Sequence, residues 1–315
     1  MTTFVTGGLG FIGSNFVISH LKKYPSDEIV VLDNYSYSAN SSNLDKFYDD
    51  WRLQVKRVDI RNLQFLEHMY SSYEPDIIFH FAAESHVDNS IRGDDDFLST
   101  NINGTHNILK CIKKYGGKLV HVSTDEVYGS LGPDDPSFSE TTPYDPRNPY
   151  SATKAASDHL VRSYVNTHNL EAVVTNCSNN YGPRQHKEKF IPTIIQHIKN
   201  NTPIPVYGNG SNIRDWLFVE DHCDALLTIG ENFKRGDRYN IGGGFECDNL
   251  SMVSMILDIM GKPPETHKNW INFVDDRKGH DLRYSMDSSK LKNELGWEAK
   301  TNIFDGLRKT VEWYL

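Results

Sequence analysis

Two adjacent carboxylic acids, Asp125 and Glu126, follow an apolar, β-branched run that ends at Thr124 in "KLVHVSTDEVYG". The run is typical of a strand buried in a parallel sheet, and charged groups at its end need water, a partner or a chemical task. Two neighbouring carboxyls can divide acid and base work, because each raises the pKa of the other in a poorly hydrated site. The alternative is a solvated turn at the end of the strand, since loops are normally polar.

A tyrosine and a lysine, Tyr150 and Lys154, stand one helical turn apart in "PYSATKAASD". This spacing places both side chains on one face of a helix, where the ammonium can lower the pKa of the phenol and make Tyr150 a base. The same spacing also arises by chance on packed helix surfaces. The rest of the chain must decide between a base and a packing residue.

Three glycines, Gly7, Gly10 and Gly13, lie in "FVTGGLGFIG" between a predicted strand and an amphipathic helix. Such a turn lets backbone N–H groups approach a pyrophosphate, because no side chains stand in the way. The next strand carries Asp33 at its end, where a carboxylate accepts from a ribose hydroxyl and repels a 2′-phosphate. We therefore predict a site for NAD rather than NADP. The alternative for Asp33 is a cap at the strand end.

Short apolar runs alternate with helical stretches in the first part of the chain. The expected strands are "TFVTG", "EIVVLDN", "LQVKRVD", "PDIIFHFAA", "KLVHVST" and "EAVVTNC". This alternation predicts an α/β fold, a Rossmann-type doubly wound parallel sheet with a smaller α/β substrate domain.

The change of pattern after Cys177 predicts a discontinuous domain boundary. We place the NAD-binding domain at residues 1–176, with returning segments near 214–243, and the nucleotide-sugar-binding domain at 177–213 and 244–315. The strands "PVYG" and "RYNIGGG" are both candidates to return to the first domain, and a helix is expected from Asn249 to Met260.

Composition excludes several classes of function. The 33 Lys and Arg residues against 42 Asp and Glu give a net charge of -9, which is unfavourable for nucleic-acid binding. The four cysteines lie far apart without a C-x-x-C pair, so we predict no metal site and no disulfide framework, as in the reducing cytoplasm. No run reaches membrane-spanning length and no targeting pattern opens the chain, so we expect a cytoplasmic protein with no membrane partner.

The chain resembles the extended short-chain dehydrogenase/reductase family, in its nucleotide-sugar-modifying branch. The resemblance rests on "TGGLGFIG", "HFAAESHVDNS", "STDEVYG" and "PYSATKAASD", and it continues in "CSNNYGPRQH", "PVYGNGSNIRDWLFVEDHC", "YNIGGG", "DRKGHDLRY" and "ELGW". It thus covers nearly the whole chain. Relatives that epimerise nucleotide sugars share the glycines and the Tyr-x-x-x-Lys pattern but generally lack the adjacent Asp-Glu pair, so the resemblance implies a 4,6-dehydratase.

In this branch, the resemblance implies that Tyr150 takes the C4 hydroxyl proton, with Thr124 hydrogen-bonded to that oxygen, while hydride passes from C4 to bound NAD. The ketone acidifies C5–H, Glu126 removes that proton, and a protonated Asp125 donates to the leaving C6 hydroxyl. Hydride return to C6 then gives a 4-keto-6-deoxy sugar from dTDP-glucose or UDP-glucose. The alternatives are an NAD-dependent 4-epimerase and a non-catalytic NAD-binding protein.

The resemblance also implies contact residues for each ligand. The cofactor contacts are expected at Gly7, Gly10, Phe11, Ile12, Gly13, Asp33, Asp59, Ile60, Ala82, Tyr150 and Lys154. The substrate contacts are expected at Ser85, His86, Asn180, Lys189, Pro205, Tyr207, Arg214, Asn249, Arg277 and His280.

Several of these substrate contacts have structural alternatives. Arg214 and Arg277 can instead pair with the neighbouring Asp215 and Asp276, and Pro205 with Tyr207 can instead pack between domains. The segment "HKEKFIP" departs from relatives that carry a proline before the Glu-Lys pair, which leaves the geometry of this loop open. A homodimer is expected, because in the resembled family the Tyr-x-x-x-Lys helix packs into an intersubunit four-helix bundle.

Overall fold

The computed structural model describes all 315 residues. The strands, in chain order, are β1 (Thr2–Thr6), β2 (Glu28–Asp33), β3 (Leu53–Arg57), β4 (Ile77–His80), β5 (Lys118–Thr124), β6 (Ala172–Cys177), β7 (Asn179–Tyr181), β8 (Ile204–Tyr207), β9 (Ile213–Phe218), β10 (Arg238–Ile241), β11 (Glu246–Asp248) and β12 (Ile271–Val274). The helices are α1 (Phe11–Lys23), α2 (Leu63–Tyr73), α3 (Val87–Arg92), α4 (Asp95–Phe97), α5 (Thr105–Tyr115), α6 (Pro149–His168), α7 (Phe190–Lys199), α8 (Val219–Glu231), α9 (Asn249–Ile259), α10 (Ser289–Leu295) and α11 (Ile303–Tyr314). A 3₁₀ turn spans Asp125–Tyr128, two further 3₁₀ helices span Ser41–Phe47 and Pro264–Trp270, and a π-helical turn, Leu98–Gly104, joins α4 to α5.

A seven-stranded parallel sheet forms the centre of the molecule, in the order β10-β6-β5-β4-β1-β2-β3. The strand order reverses at β1, which lies between β2 and β4. In open α/β sheets, ligands bind at the carboxyl ends of the strands beside such a reversal. The predicted Rossmann-type fold is therefore confirmed, and all six predicted strands lie in this sheet.

Apolar layers cover both faces of this sheet. Phe16 of α1 and Leu226 of α8 pack on one face, and Leu66 of α2 with Ile112 of α5 and Val161 of α6 packs on the other. Because both faces are covered, the strands are continuous apolar runs rather than alternating ones. No helix of the molecule combines the length and the apolar character that a membrane crossing requires.

The C-terminal half adds a second lobe with a core of its own, in which Ile194, Trp216, Ile256 and Leu307 are buried together. Its strands form a three-stranded sheet, β11-β9-β7, and a parallel pair, β12-β8. Of the two strands considered as returning to the first domain, β10 joins the large sheet beside β6. The expectation for "PVYG" is wrong, because β8 finds its partner in β12 within the second lobe. The exact domain boundaries stay a prediction.

A small cluster joins the two lobes next to the end of β5. Val127 and Tyr128 of the 3₁₀ turn pack there against Phe138, Tyr284 and Met286. The turn that carries the two adjacent carboxyls is therefore held between the lobes rather than on a free loop.

Candidate active site

The glycine turn connects β1 to α1 and lies against the backbone of neighbouring segments. Gly7 has a φ of +69°, and a Cβ there would stand 2.7 Å from the backbone nitrogen of Ala82. A Cβ on Gly13 would stand 2.3 Å from the carbonyl oxygen of Gly7. Helix α1 begins after Gly10 with no side-chain cap and no acidic residue in its first turn. Its N-terminal N–H groups are thus available to an anion such as a pyrophosphate.

Asp33 is buried at the end of β2, beside the glycine turn. Its Oδ2 accepts from the N–H of Leu9 at 3.0 Å, and its Oδ1 accepts from the N–H of Tyr35 at 2.9 Å. Burial raises the pKa of Asp33, and the two backbone donors oppose that shift. The fixed carboxylate, the bare helix N-terminus and the glycines together fit a dinucleotide.

One cleft collects most of the predicted residues. It is lined by Gly7, Gly10, Phe11, Ile12, Gly13, Asp33, Ile60, Ala82, Ser85, Thr124, Asp125, Glu126, Tyr150, Lys154, Asn180 and Lys189, among others. The fold therefore brings the glycine turn and the candidate catalytic groups to one place. Asp59 lies outside this lining, and Arg61 donates to both of its carboxylate oxygens. A contact between Asp59 and the adenine stays a prediction.

The two carboxyls are held by a short 3₁₀ turn that Thr124 caps. The Thr124 Oγ1 accepts from the N–H of Glu126 at 3.3 Å and donates to Oδ1 of Asp125 at 3.1 Å. Asp125 is 2% exposed, and its Oδ2 has no hydrogen-bond partner. Asp125 and Glu126 therefore do not form the solvated turn that was the alternative for the end of β5.

The surroundings give the two carboxyls different proton affinities. Burial, followed by the charge of Glu126, raises the pKa of Asp125 well above its ordinary range. Burial also raises the pKa of Glu126, but Arg277 and a hydrogen bond from Asn148 oppose the shift. Burial therefore favours the protonated form of Asp125, whereas Arg277 and Asn148 favour the ionised form of Glu126, as a division into one acid and one base requires.

Tyr150 and Lys154 lie buried on α6. Asn148 caps this helix and Pro149 occupies its first position, which explains why it starts there. The Lys154 Nζ donates to the carbonyl oxygen of Val122 at 2.8 Å. Burial and then Glu126 raise the pKa of Tyr150 well above its ordinary range. The predicted lowering of that pKa by Lys154 is not found in this structure, because desolvation is the largest influence on the phenol and the charge of Glu126 acts in the same direction.

A buried carboxylate that sequence reasoning missed lies one helical turn beyond Lys154. Asp158 Oδ2 accepts from the hydroxyls of Ser123 at 2.9 Å and Tyr144 at 2.8 Å, and Oδ1 lies 3.1 Å from His121 Nε2. Burial alone would raise the pKa of Asp158, but His121 and Lys154 hold it below its ordinary range. The signal was the Lys-to-Asp spacing of one helical turn, which marks a countercharge for a buried ammonium.

Arg214 lies on β9 and is buried. Its guanidinium stacks 4.2 Å from the ring centroid of Tyr284 and donates to the backbone oxygens of Ile213, Leu282 and Asp281. The alternative in which Arg214 pairs with Asp215 is not found. Backbone carbonyls leave the positive charge of this side chain uncompensated, which suits an anionic ligand.

Arg277 lies in the loop after β12. Its Nη2 lies 3.1 Å from Nε2 of His280, and its guanidinium stands 5.8 Å from the ring of Tyr207. The side chain of Asp276 pairs with His280 instead, at 2.6 Å, so the alternative ion pair between Arg277 and Asp276 is not found either. Tyr207 is 39% exposed and donates to Oδ2 of Asp88 at 3.2 Å.

The other predicted substrate residues divide between the cleft and its surroundings. Lys189 reaches across the cleft to donate to the carbonyl oxygen of Ser85 at 3.0 Å. Asn180 lies in the cleft, and its Oδ1 is 2.8 Å from Nδ1 of His222. The predicted residues outside the cleft lining are Asp59, His86, Pro205, Tyr207, Arg214, Asn249, Arg277 and His280.

The fold and the site define a Rossmann-type enzyme with a dinucleotide cleft and two adjacent carboxyls beside it. A family model described as GDP-mannose 4,6 dehydratase matches residues 4–310. The chain therefore belongs to this family of nucleotide-sugar 4,6-dehydratases.

Individual relatives narrow the comparison. The dTDP-glucose 4,6-dehydratase of Haemophilus influenzae is 44% identical, over 100% of this chain and 98% of its own length. A crystal structure of the dTDP-glucose 4,6-dehydratase of Streptomyces venezuelae, with NAD bound, is 43% identical, has a TM-score of 0.95 and covers 100% of this chain and 97% of its own. A UDP-glucose 4-epimerase structure from Thermotoga maritima shares the fold, with a TM-score of 0.91 and coverage of 100% and 98%, but is only 27% identical.

Proposed function

We propose that this protein is a dTDP-glucose 4,6-dehydratase, which converts dTDP-glucose to the 4-keto-6-deoxy sugar. The observation that carries the proposal is the buried pair Asp125 and Glu126, in the same cleft as Tyr150. An epimerase inverts C4 without removing a proton from C5 or a hydroxyl from C6. Only dehydration gives both carboxyls a task.

The residues that hold NAD are the glycine turn, Asp33, Ile60 and Ala82, with Asp59 at the adenine end. Bound there, NAD would supply the hydride chemistry: acceptance from the sugar C4 and return to C6. Asp33 would accept from ribose hydroxyls, and the N–H groups at the start of α1 would bind the pyrophosphate. The carboxylate of Asp33 favours NAD because it would repel a 2′-phosphate.

Tyr150 is the group that takes the proton of the C4 hydroxyl, and Thr124 hydrogen-bonds to the same oxygen. Lys154 follows one helical turn after Tyr150, and its Nζ is held at the Val122 carbonyl. Asp158, one helical turn further along α6, stabilises this buried ammonium. The charge of Lys154 is thus compensated within α6 by Asp158.

Glu126 and Asp125 carry out the elimination. Once C4 is a ketone, the C5 proton becomes acidic, and the ionised carboxylate of Glu126 takes it. Asp125, whose protonated form is favoured by burial, gives its proton to the departing C6 hydroxyl, and water leaves. The product carries a ketone at C4 and a methyl group at C6.

The nucleotide diphosphate is bound by cations in an otherwise acidic protein. Lys189, Arg214 and Arg277 all act electrostatically on Glu126, so they surround the sugar end of the site. The two arginines have forked donors that match phosphate oxygens. Tyr207 with Pro205 provides a flat surface for the base, beside Asn249. Ser85, His86, Asn180 and His280 complete this set of proposed contacts.

A second copy of the chain is the proposed partner along α6. Ala152, Ala156 and Leu160 repeat once per helical turn on a face of α6 that is not fully buried, and Leu98 on the adjoining π-helical turn is 44% exposed. A homodimer covers this stripe. Light scattering should give a dimer for the wild type and a monomer for Leu160→Glu, with Phe304→Glu, which is exposed on α11, as the control.

The proposed compartment is the cytoplasm. All four cysteines are free thiols and three are buried, which fits a reducing environment. Fractionation of the native organism, with immunodetection of the protein, tests this placement.

The test of the function uses the purified protein with dTDP-glucose and UDP-glucose in separate incubations, followed by mass spectrometry. We expect the mass of one water to be lost from dTDP-glucose, and Tyr150→Phe to be inactive under the same conditions. A product of unchanged mass with inverted C4 would show an epimerase instead. No conversion of either sugar by a protein that retains NAD would support a binding protein.

A further inference from the structure

Asn148 lies between the two halves of the site. Its Oδ1 accepts from the N–H of Ser151 at 2.9 Å as the cap of α6, and its Nδ2 donates to Oε2 of Glu126 at 3.3 Å. The residue is 9% exposed. A single amide therefore contacts both the helix that carries Tyr150 and the carboxylate of Glu126.

The cap decides which way the amide points. Because the backbone N–H of Ser151 requires an acceptor, Oδ1 must face the helix, and the Nδ2 donor is directed to Glu126. The hydroxyl of Ser151 accepts in turn from the N–H of Asn148 at 3.2 Å, which completes a capping box. The two hydrogen bonds fix the backbone and the side chain of Asn148 together.

Helix capping alone does not require asparagine here. Aspartate and serine cap helices about as well as asparagine. Aspartate, however, has no N–H to donate when it is ionised, and serine has one oxygen in place of the two separate polar atoms of asparagine, so the atom that caps the helix is not at the position from which Nδ2 donates to Glu126. Asparagine is the residue that caps the helix and still donates to a carboxylate.

Many charged or titratable groups face Glu126, and they act in both directions. They are Arg277, Arg214, Lys189, Asp281, Asp125, Tyr150 and Tyr284. Asn148 alone among the surrounding side chains lies within hydrogen-bond distance of the Glu126 carboxylate. The charged side chains set the electrostatic potential at Glu126, whereas the hydrogen bond from Asn148 sets the direction in which the carboxylate oxygens of Glu126 point.

We propose that Asn148 is a positioning residue for the elimination step: its amide orients the Glu126 carboxylate toward C5 and stabilises its ionised form. This inference rests on the proposed function. Donation to a carboxylate favours the charged form, because the hydrogen bond is lost on protonation. Asn148 also ties the base to the start of α6, so that Glu126 and Tyr150 keep a fixed relation.

The test compares Asn148→Ser and Asn148→Asp with the wild type. Both variants keep a good cap, so loss of the cap itself should contribute little to any change in thermal unfolding. For Asn148→Ser we expect kcat to fall about tenfold and the isotope effect of C5-deuterated dTDP-glucose to rise, because proton abstraction becomes slower. For Asn148→Asp the acidic limb of the kcat profile should move up by at least about one pH unit, because a second carboxylate stands beside the base.

Asn62 supplies a matched control. Its Oδ1 caps α2 by accepting from the N–H of Phe65, also three residues on, and it lies outside the active-site cleft. The variants Asn62→Ser and Asn62→Asp should show the same pH profile and the same isotope effect as the wild type. These controls separate the loss of a cap from the loss of the donor.

Two outcomes would overturn the inference, and they are distinguishable. If the wild type makes the dehydrated product but both Asn148 variants keep its pH profile and isotope effect, Asn148 is only a helix cap. If the wild type itself yields no dehydrated product from dTDP-glucose, the proposed function fails and the inference fails with it.

Discussion

Replacing Asp125 or Glu126 by its neutral amide should impair the elimination of water in two different ways. Glu126→Gln keeps the length of the side chain and removes the proton acceptor. Asp125→Asn keeps the shape of a protonated aspartic acid and removes the proton that leaves with the C6 hydroxyl. We expect both variants to oxidise C4 and to be slow in losing water, because Tyr150 and Lys154 are intact.

The size of the effect follows from the positions of the two groups. A positioned acid or base contributes about 10²–10⁴ in rate, which corresponds to about 3–5 kcal/mol of activation free energy. Asp125 should lie toward the upper end, since it is 2% exposed and solvent water cannot reach its Oδ2 to substitute as the acid. Glu126 is less deeply buried, and we expect at least about a hundredfold loss for its variant.

Stability should behave differently from rate in the aspartate variant. The pKa of Asp125 is raised in the folded protein, so the folded state binds more protons than the unfolded state between the two pKa values. Wild-type stability therefore falls as the pH rises through that window. Asn cannot ionise, so Asp125→Asn should be at least as stable as the wild type at neutral pH.

Quenched single turnovers in deuterium oxide, analysed by mass spectrometry, separate the two variants. Glu126→Gln should accumulate the 4-keto sugar with its C6 hydroxyl and with no deuterium at C5, since proton removal from carbon is lost. Asp125→Asn should accumulate the same sugar with more deuterium at C5, because only protonation of the leaving group is impaired. Full dehydration at the wild-type rate in both variants would refute the assignment of Asp125 as the acid and Glu126 as the base. The two residues would then be loop residues without a catalytic role.

Three further predictions concern groups around this pair. Tyr150→Phe should abolish C4 oxidation while calorimetry shows nearly unchanged binding of NAD and dTDP-glucose, since only the phenol oxygen is lost; near-normal turnover would contradict it. Asp33→Ala should lower the NAD content of the purified protein for either sugar substrate, as measured after denaturation; full occupancy would argue against the ribose contact. Asp158→Asn should lower the free energy of unfolding by about 3 kcal/mol. Because the pKa of Asp158 is lowered on folding, its contribution is present above the unfolded pKa and is lost as the pH falls through the folded pKa, so urea unfolding of variant and wild type should converge in acid.

Local patterns were sufficient for much of the fold and for the identity of the candidate groups. Apolar runs predicted the six sheet strands because both faces of a parallel sheet are covered by helices. The glycine turn and Asp33 could be read from spacing, since a strand-turn-helix unit brings them together over short stretches of chain. Asp125 and Glu126 were found because they are adjacent in sequence and follow a strand that has to end at the binding edge.

The features that could not be predicted from sequence depend on contacts between segments far apart in the chain. The sequence offers no sign that Asn148 donates to Glu126, because the two residues lie on separate elements and meet only when α6 packs beside the end of β5. The direction of the Tyr150 pKa was wrong from sequence, since helical spacing shows Lys154 one turn away but not the burial and the carboxylate of Glu126 that raise this pKa. In the same way, β8 could be recognised as a strand while its partner β12 could not, because a strand's own residues specify its faces and leave the choice of neighbour to the packing of the whole lobe.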